Sequence, residues 1–359
     1  MDDSKKNLYH RPMRRLILVM ASLAAAPSAS AQSSATLRAI DVYRSAALSA
    51  DDARKRFGAD LREIVTLRNA HRPAADEKAE ALRRRVERAA ARTPGVAFVE
   101  LHLSEYFTSV DHAIYAVFDV VDAADSSRLS FAPAPKARIP DPDGLLAAWK
   151  SYVELGEALS RRGQMPVDRP VCPGFYCLWG GTPELDAAHQ RFVTGAEKRS
   201  EELRRLLSAD ADGEKRAAAL FVLSYQRAGE KVTRLCREAL SDADSRVRGA
   251  ALQILADIVN NHKDVEIDLD PVLRRLDDPL AGVRGKAMGL MVPLAEKTAH
   301  RKKMFSAAPR LAALVRMEQP ESRDLSFTLL GLISGKNWDR LDFAAWDAWA
   351  ARAAAGKPD

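Results

Sequence analysis

The sequence of 359 residues predicts a mixed α+β N-terminal domain followed by an all-α superhelical array of repeats. Two observations support this fold class. Apolar and polar residues alternate with period two near residue 100, which is typical of β-strands. In the second half of the chain, one pattern with helical spacing occurs four times, which is typical of stacked helices. The length also suits two domains.

Residues 1–31 are predicted to be a signal peptide. Basic residues between Lys5 and Arg15 precede the apolar run LILVMASLAAA, and small residues at 29–31 provide a cleavage site. Because this run is shorter than the about 20 residues of a membrane-spanning helix, we expect no integral span after cleavage. An uncleaved anchor is the alternative. The pair Arg14-Arg15 leaves Sec and twin-arginine export both open, so the predicted location is periplasmic or secreted.

The charge balance does not favour nucleic-acid binding. The chain has 55 basic and 49 acidic residues, a net charge of +6. The signal segment contains five basic and two acidic residues, so the remainder has 50 and 47, a net charge of +3. Phosphate binding requires clustered basic charge, and the one dense basic run is HRKK at 300–303. A solvated helix end accounts for that run.

Residues 35–162 are predicted to form the small α+β domain. Ser49 has the character of an N-cap for a helix with an apolar stripe, and a charge-rich helix follows over about 75–92. The segments VAFVELHLSEYF and AIYAVFDVV, separated by a polar turn, predict an antiparallel hairpin. SSRLSF is a candidate third strand. Asp141 and the following Pro predict the start of a further helix with an apolar face.

Residues 163–195 are interpreted as a Pro- and Gly-rich connector with a linking helix. Cys172 and Cys177 lie five positions apart in VCPGFYCLWGG, and an oxidising compartment favours a disulfide between them. A redox pair or a metal site is the alternative. Cys236 lies between aliphatic residues on a predicted helix, which indicates a buried thiol.

Four segments of the second half align on an arginine. The anchors are separated by 32, 36 and 39 residues and are Arg216, Arg248, Arg284 and Arg323. Small residues follow three positions later, and paired large apolar residues follow six and seven positions later, all on one helical face. The small residues are Ala219, Ala251, Ala287 and Ser326. We expect them to permit close approach of neighbouring helices.

An aspartate precedes three of these arginines by six positions. These residues are Asp210, Asp242 and Asp278, and Met317 occupies the corresponding place in the fourth segment. An aspartate at the turn into a helix can accept hydrogen bonds from its first N–H groups, and the arginine can reach the aspartate of a neighbouring repeat. We therefore predict a structural ladder of arginine and aspartate side chains.

This pattern, D-x-x-x-x-(V)-R-x-x-A with the valine in only some repeats, resembles HEAT repeats, particularly the short HEAT-like type related to those of phycobilin lyases. The resemblance covers about residues 196–335 and implies a curved stack of antiparallel helix pairs, an α-solenoid. Such repeats mostly serve as binding scaffolds, so the resemblance implies no lyase activity. Residues 336–359 are interpreted as a C-terminal capping helix and tail.

A polar face of the predicted hairpin is the one place where chemistry could be assembled. Glu100 and His102 alternate onto the same side of the first strand, with Asp119 and His112 on or near its partner. Imidazole and carboxylate groups could bind Zn²⁺ or act as acid and base. A half-exposed sheet with a polar outer face accounts for the same alternation.

The sequence therefore favours an exported, non-catalytic scaffold that binds a protein partner, and predicts no cofactor or metal. Gln253, Asp257 and Lys286 are predicted to project from the second helices toward that partner. A metal-dependent or hydrolytic enzyme using the hairpin face remains the alternative. The sequence lacks the H-E-x-x-H, G-x-S-x-G, P-loop and dinucleotide-binding signatures, so it names no catalytic residue.

Overall fold

A small β-sheet forms the N-terminal part of the chain in the computed structural model, which describes residues 34–108, 111–166, 171–262 and 264–357. The strands are β1 (Thr36–Tyr43), β2 (Val96–Phe107) and β3 (His112–Asp122). Their order is β1-β3-β2, with β2 and β3 antiparallel and β1 parallel to β3. The predicted hairpin is present, whereas the parallel strand β1 was not predicted. The predicted signal peptide lies outside the described residues.

Two helices cover one face of this sheet. They are α1 (Ala50–Arg68), which Ser49 caps through the N–H of Asp52, and α2 (Pro73–Ala91). Their apolar stripes pack with Phe118 and Val120 of β3 into a core of their own. Because β3 is central and covered on both faces, it is almost entirely buried. The segment SSRLSF is not a strand, since Ala123–Leu129 forms a 3₁₀-helix.

Most of the rest of the described chain is helical. The helices are α3 (Leu145–Arg161), α4 (Pro183–Lys198), α5 (Ser200–Ala209), α6 (Gly213–Leu223), α7 (Gly229–Ala239), α8 (Ser245–Asn261), α9 (Leu269–Arg274), α10 (Ala281–Leu294), α11 (Thr298–Met304), α12 (Ala308–Leu314), α13 (Pro320–Ser334) and α14 (Phe343–Ala354). Together with the N-terminal sheet, they confirm the predicted fold class. No described helix has the length and apolar character needed to cross a membrane.

The helices α5 to α13 form four consecutive pairs, which we call repeats 1 to 4. The pairs are α5–α6, α7–α8, α9–α10 and α12–α13, and α11 is an additional short helix between the third and fourth. Consecutive second helices pack directly on one another, whereas first helices pack mainly on their own second helix. The inserted α11 accounts for the longest spacing between the repeat arginines, the 39 residues from Arg284 to Arg323. Trp346 and Trp349 of α14 are buried and close the C-terminal end of the array.

Helix α3 packs with the array and not with the sheet. Trp149 and Tyr152 share one apolar core with the repeats, while α1, α2 and the sheet face that they cover have a separate core. Trp149 stacks on Phe221 of α6 with ring centroids 4.8 Å apart. The interpretation that residues 35–162 form one unit therefore includes a helix whose contacts belong to the array.

The N-terminal part lies along the turns that join the first and second helix of each repeat, which we call the loop edge. The extended segment 131–139 crosses repeats 2 and 1, where Ala132 N donates to Ser241 O and Ala137 N to Ala209 O. The sheet covers repeats 3 and 4, where Tyr43 and Tyr106 make hydrogen bonds. Every repeat therefore has its loop edge in contact with the N-terminal part.

Candidate protein-binding surface

A ladder of buried arginine–aspartate pairs joins successive repeats. Arg216 donates through Nε to Asp242 of the next repeat at 2.9 Å, and through Nη1 to the carbonyl of Asp210 in its own repeat at 2.8 Å. Arg248 does the same with Asp278, at 2.7 and 3.0 Å from Nε and Nη2. Bidentate pairs of this kind have strict geometry, so they fix the spacing and rotation between second helices.

Each aspartate also organises the turn that contains it. The carboxylates accept the N–H two residues later, which is Asp212 for Asp210 and Asp244 for Asp242. Asp212 and Asp244 in turn are the N-caps of α6 and α8. The predicted aspartates therefore stabilise the turn, while in repeats 1 and 2 a second aspartate caps the helix.

Asp210 has no preceding repeat, and the N-terminal part supplies its partner. The N–H of Ile139 donates to Asp210 Oδ2 at 2.7 Å. Burial opposes ionisation of this side chain, but the N–H groups of Asp212 and Ile139 keep the pKa of Asp210 below its usual range. Asp210 is therefore ionised at neutral pH and ties segment 131–139 to the first repeat.

The third arginine pairs with the sheet instead of a fourth repeat. Arg284 Nη2 donates to Asp119 Oδ1 of β3 at 2.6 Å, and the N–H of Ala281 donates to Asp119 Oδ2 at 2.7 Å. Both side chains of the pair are almost fully buried, at 0% and 2% exposure. The ring of Tyr43 lies 4.0 Å from the guanidinium carbon. Asp119 thus supplies the carboxylate that Met317 cannot.

Arg323 is not part of the ladder, which corrects the sequence interpretation. Its Nε donates to the adjacent Asp324 at 2.7 Å, and its side chain is 22% exposed. In the described part of the chain α14 follows, and no further repeat there supplies an acceptor. At this turn Asp41 of β1 accepts the N–H groups of Glu318 and Gln319, at 3.1 and 2.8 Å. Two strands therefore provide the carboxylates that the last repeat lacks.

The three predicted partner-binding residues lie on the face of the second helices and are partly buried. Gln253 and Asp257 are on α8, and Lys286 on α10 places its Nζ 3.4 Å from Gln253 Oε1. Burial lowers the pKa of Lys286 from its ordinary value. The stem of Lys286 packs over Gly249, and the binding role of the three residues stays a prediction.

Glycine one position after the arginine makes this packing possible. A Cβ at position 249 would lie 3.2 Å from Lys286 Nζ, and one at position 285 would lie 2.6 Å from Glu321 Oε1. Each glycine therefore accepts a charged side chain from the next second helix. A glycine directly after the arginine is visible in the sequence at Gly249 and Gly285, but it is not among the repeat positions described above.

The candidate acid–base face of the hairpin does not assemble. Glu100 and Asp119 are cross-strand partners, but Asp119 is bound to Arg284. His112 lies on the opposite face, with Nε2 3.2 Å from Glu105 Oε2. Burial, with a smaller contribution from Asp119, raises the pKa of Glu100. Across the described ranges no three His, Cys, Asp or Glu side chains converge in a way that could hold a metal ion.

The predicted cysteine pair is bonded, and its loop joins α3 to repeat 1. Cys172 and Cys177 form a disulfide, and the N–H of Phe175 donates to the carbonyl of Ser224 at 2.9 Å. The indole of Trp179 packs against Gly156 of α3 so closely that a Cβ there would lie 2.1 Å from it. The loop is therefore fixed between α3 and repeat 1.

A buried histidine of α4 forms hydrogen bonds with the same loop. His189 Nε2 donates to the carbonyl of Trp179 at 2.9 Å, so its Nδ1 accepts from the hydroxyl of Tyr225 at 2.8 Å. Cys177 Sγ lies 3.8 Å from the same Nδ1. Burial lowers the pKa of His189, which keeps the ring neutral in this network. Cys236 is a free, fully buried thiol on α7.

Comparison with known proteins identifies the repeats. No curated protein and no solved structure matches the chain. Residues 200–291 match the family model of HEAT repeats, and this segment runs from the start of α5 into α10. It contains the three arginines that form the ladder. The predicted resemblance is confirmed over this part of the chain, where the repeats are similar to HEAT repeats.

Proposed function

We propose that the protein is an exported scaffold that binds a partner protein on the face of its second helices. HEAT repeats are protein-interaction scaffolds. The observation that carries the proposal is the coverage of the loop edge. Asp41, Asp119 and segment 131–139 occupy the turns of all four repeats, so those turns are not free for a partner.

The second helices offer a continuous and shallow surface. They pack directly on each other, and the ladder fixes their spacing. Gly282 and Gly289 are exposed on α10, where the missing side chains permit close approach of another backbone. Arg246, Lys286 and Glu321 add charges of both signs nearby. A partner with mixed charge and a slender contacting element, such as a helix with small residues, fits this surface.

Export is the second part of the proposal. The predicted signal peptide at residues 1–31 motivates it, and the Cys172–Cys177 disulfide supports it because disulfides persist in oxidising compartments. If the chain is exported, alkylation without reductant should modify neither cysteine of the pair. Cys236 should react only after unfolding, since burial strongly raises the pKa of its thiol.

Site-specific photo-crosslinking tests the binding surface. A photoreactive residue replaces Gln253 or Gly289 on the second helices, and Glu238, exposed on the first helix of repeat 2, serves as the matched control. The proposal expects the same defined adduct from the first two positions and none from the third. Adducts of equal yield at all three positions, or adducts confined to the control, would contradict it.

Fractionation tests export separately. The full chain should yield a mature protein that begins at Gln32 outside the cytoplasm, and a variant without residues 2–31 should stay in the cytoplasm. Retention of the intact N-terminus in soluble cytoplasmic protein would refute the export part. The binding part would stand, because its crosslinks are measured on the folded array.

A further inference from the structure

Strand β2 lies at the edge of the sheet. In the described residues, side chains bond to the outer backbone groups of β2 at one residue, Leu101. The N–H of Leu101 donates to Glu87 Oε2 at 3.0 Å, and Arg83 Nη1 donates to the carbonyl of Leu101 at 3.1 Å. Both partners are side chains of α2. They satisfy the groups that a neighbouring strand would otherwise satisfy, which is a common way to protect a sheet edge.

Beyond Leu101 the edge is open. The N–H and C=O groups of successive residues in a strand point to opposite edges. Those of Leu103 and Glu105, two and four residues after Leu101, therefore point to the same edge as those of Leu101. No hydrogen bond within residues 34–108 and 111–166 engages these groups. The strand continues to Phe107, whose side chain is 66% exposed beside this edge. An exposed apolar ring next to unpaired edge amides is characteristic of a strand-addition site.

A cavity of about 310 Å³ adjoins the open half of the edge. Leu103 and Ile114 contribute to its apolar floor, and the N-terminal half of α2 forms a wall. Alternate side chains of a strand paired with β2 would point toward this cavity.

The geometry points to a second interaction site, at which an extended segment of a partner protein adds to β2 as a fourth strand. This site is separate from the face of the second helices and does not depend on it. Backbone groups of Leu103 and Glu105 would pair with the peptide, and Phe107 would cover one of its side chains. The cavity would receive another.

The charges favour a basic segment. The cavity lining holds three carboxylates and two arginines. Both arginines are already paired, Arg68 with Glu105 at 2.7 Å and Arg83 with Glu80 at 2.9 Å. Asp76, exposed in the first turn of α2, lies at the rim. A lysine that enters the cavity would meet three carboxylates against two arginines, whereas a glutamate would be repelled.

A blocked seven-residue peptide of alternating valine and lysine is the probe. Titration into the full-length exported protein should protect the amides of Leu103 and Glu105 from hydrogen exchange. N-methylation of one alternate set of peptide residues should weaken binding about tenfold, because two or three main-chain bonds are lost. N-methylation of the other set, whose N–H groups face away, should have little effect. Replacing lysine by glutamate should also weaken binding.

A protein variant provides an independent test. Glu87→Ala releases the N–H of Leu101 and lengthens the free edge, so the peptide should bind more tightly. Arg85→Ala on the same helix is the control, because Arg85 pairs with Asp60 and does not touch the edge. Equal weakening by both N-methylated peptides, or no binding of the parent peptide, would overturn the proposal. A peptide-free dimer whose protected amides are those of Leu103 and Glu105 would overturn it too, because a second copy would then occupy the edge.

Discussion

Replacing Asp119 by asparagine should destabilise the whole molecule, because it leaves the buried charge of Arg284 without a counter-charge. The guanidinium is 0% exposed and the carboxylate 2% exposed. Removing one partner of such a pair typically costs about 3–5 kcal/mol. We expect the lower end of that range for asparagine. Its amide oxygen can still accept from Arg284, which also keeps the carbonyls of Asp278 and Pro279.

Urea unfolding of the protein at pH 7 measures this effect. All five tryptophans lie between Trp149 and Trp349, so their fluorescence follows the helical part, while circular dichroism follows the whole chain. In the Asp119→Asn variant both signals should shift to lower urea. Asp111→Asn is the matched control in the same hairpin, because its pair with Arg38 is exposed and contributes about 1 kcal/mol or less.

A double-variant cycle separates the pair from the fold around it. Arg284→Met removes the buried charge, so Asp119→Asn should cost less in that background than in the wild type. Additive effects of the two substitutions would refute the reasoning. An Asp119→Asn variant as stable as the wild type would refute it directly.

Three further outcomes follow from the packing and the titration of the array. Ala251→Leu should overpack the contact between second helices and cost about 1–3 kcal/mol in urea unfolding, and unchanged stability would mean that this interface is misplaced. Gly156→Ala should displace the indole of Trp179 and change its fluorescence, whereas an unchanged spectrum would contradict the contact. Because burial depresses the pKa of His189 below the unfolded value, the unfolded chain takes up its proton first as pH falls. Stability should therefore decrease as pH falls below about 6.5, the ordinary value for histidine. His189→Gln should reduce this loss of stability at low pH. The remaining loss would then reflect mainly His300, whose pKa is also lowered. An identical pH dependence of stability in the variant would refute the assignment to His189.

The repeat array could be predicted from the sequence because its interactions recur at fixed offsets. An arginine such as Arg248 meets the aspartate of the following repeat, Asp278, and this pairing is the same wherever one repeat follows another. Small residues such as Ala251 are buried at the predicted helix contact. Local periodicity and a nearest-neighbour architecture therefore carry most of the information for this half.

The N-terminal contribution to the array could not be read in the same way. Asp119 precedes its partner Arg284 by 165 positions, and no offset or motif connects the two. The alternating pattern marked Asp119 as one member of a polar hairpin face, which is correct for the strand. It could not indicate that this face lies against the array. The parallel strand β1 was missed for a similar reason, since its partner β3 follows α1, α2 and β2 in the chain.

The missing aspartate of the fourth repeat gives the N-terminal sheet a structural role that its own fold does not require. In a uniform array the pair of Arg284 would come from position 317, where this chain has methionine, buried at 6% exposure. Asp119 satisfies the guanidinium, while Asp41 satisfies the N–H groups that open α13. Both carboxylates come from strands of one sheet whose helix-covered face has a separate core. If the sheet separates from the last two repeats, Arg284 loses its carboxylate and the N–H groups that open α13 lose their acceptor. The loss of these hydrogen bonds destabilises the separated state. We therefore expect the array and the sheet to unfold together, with the loop edge as the coupling surface and the second helices left available for a partner.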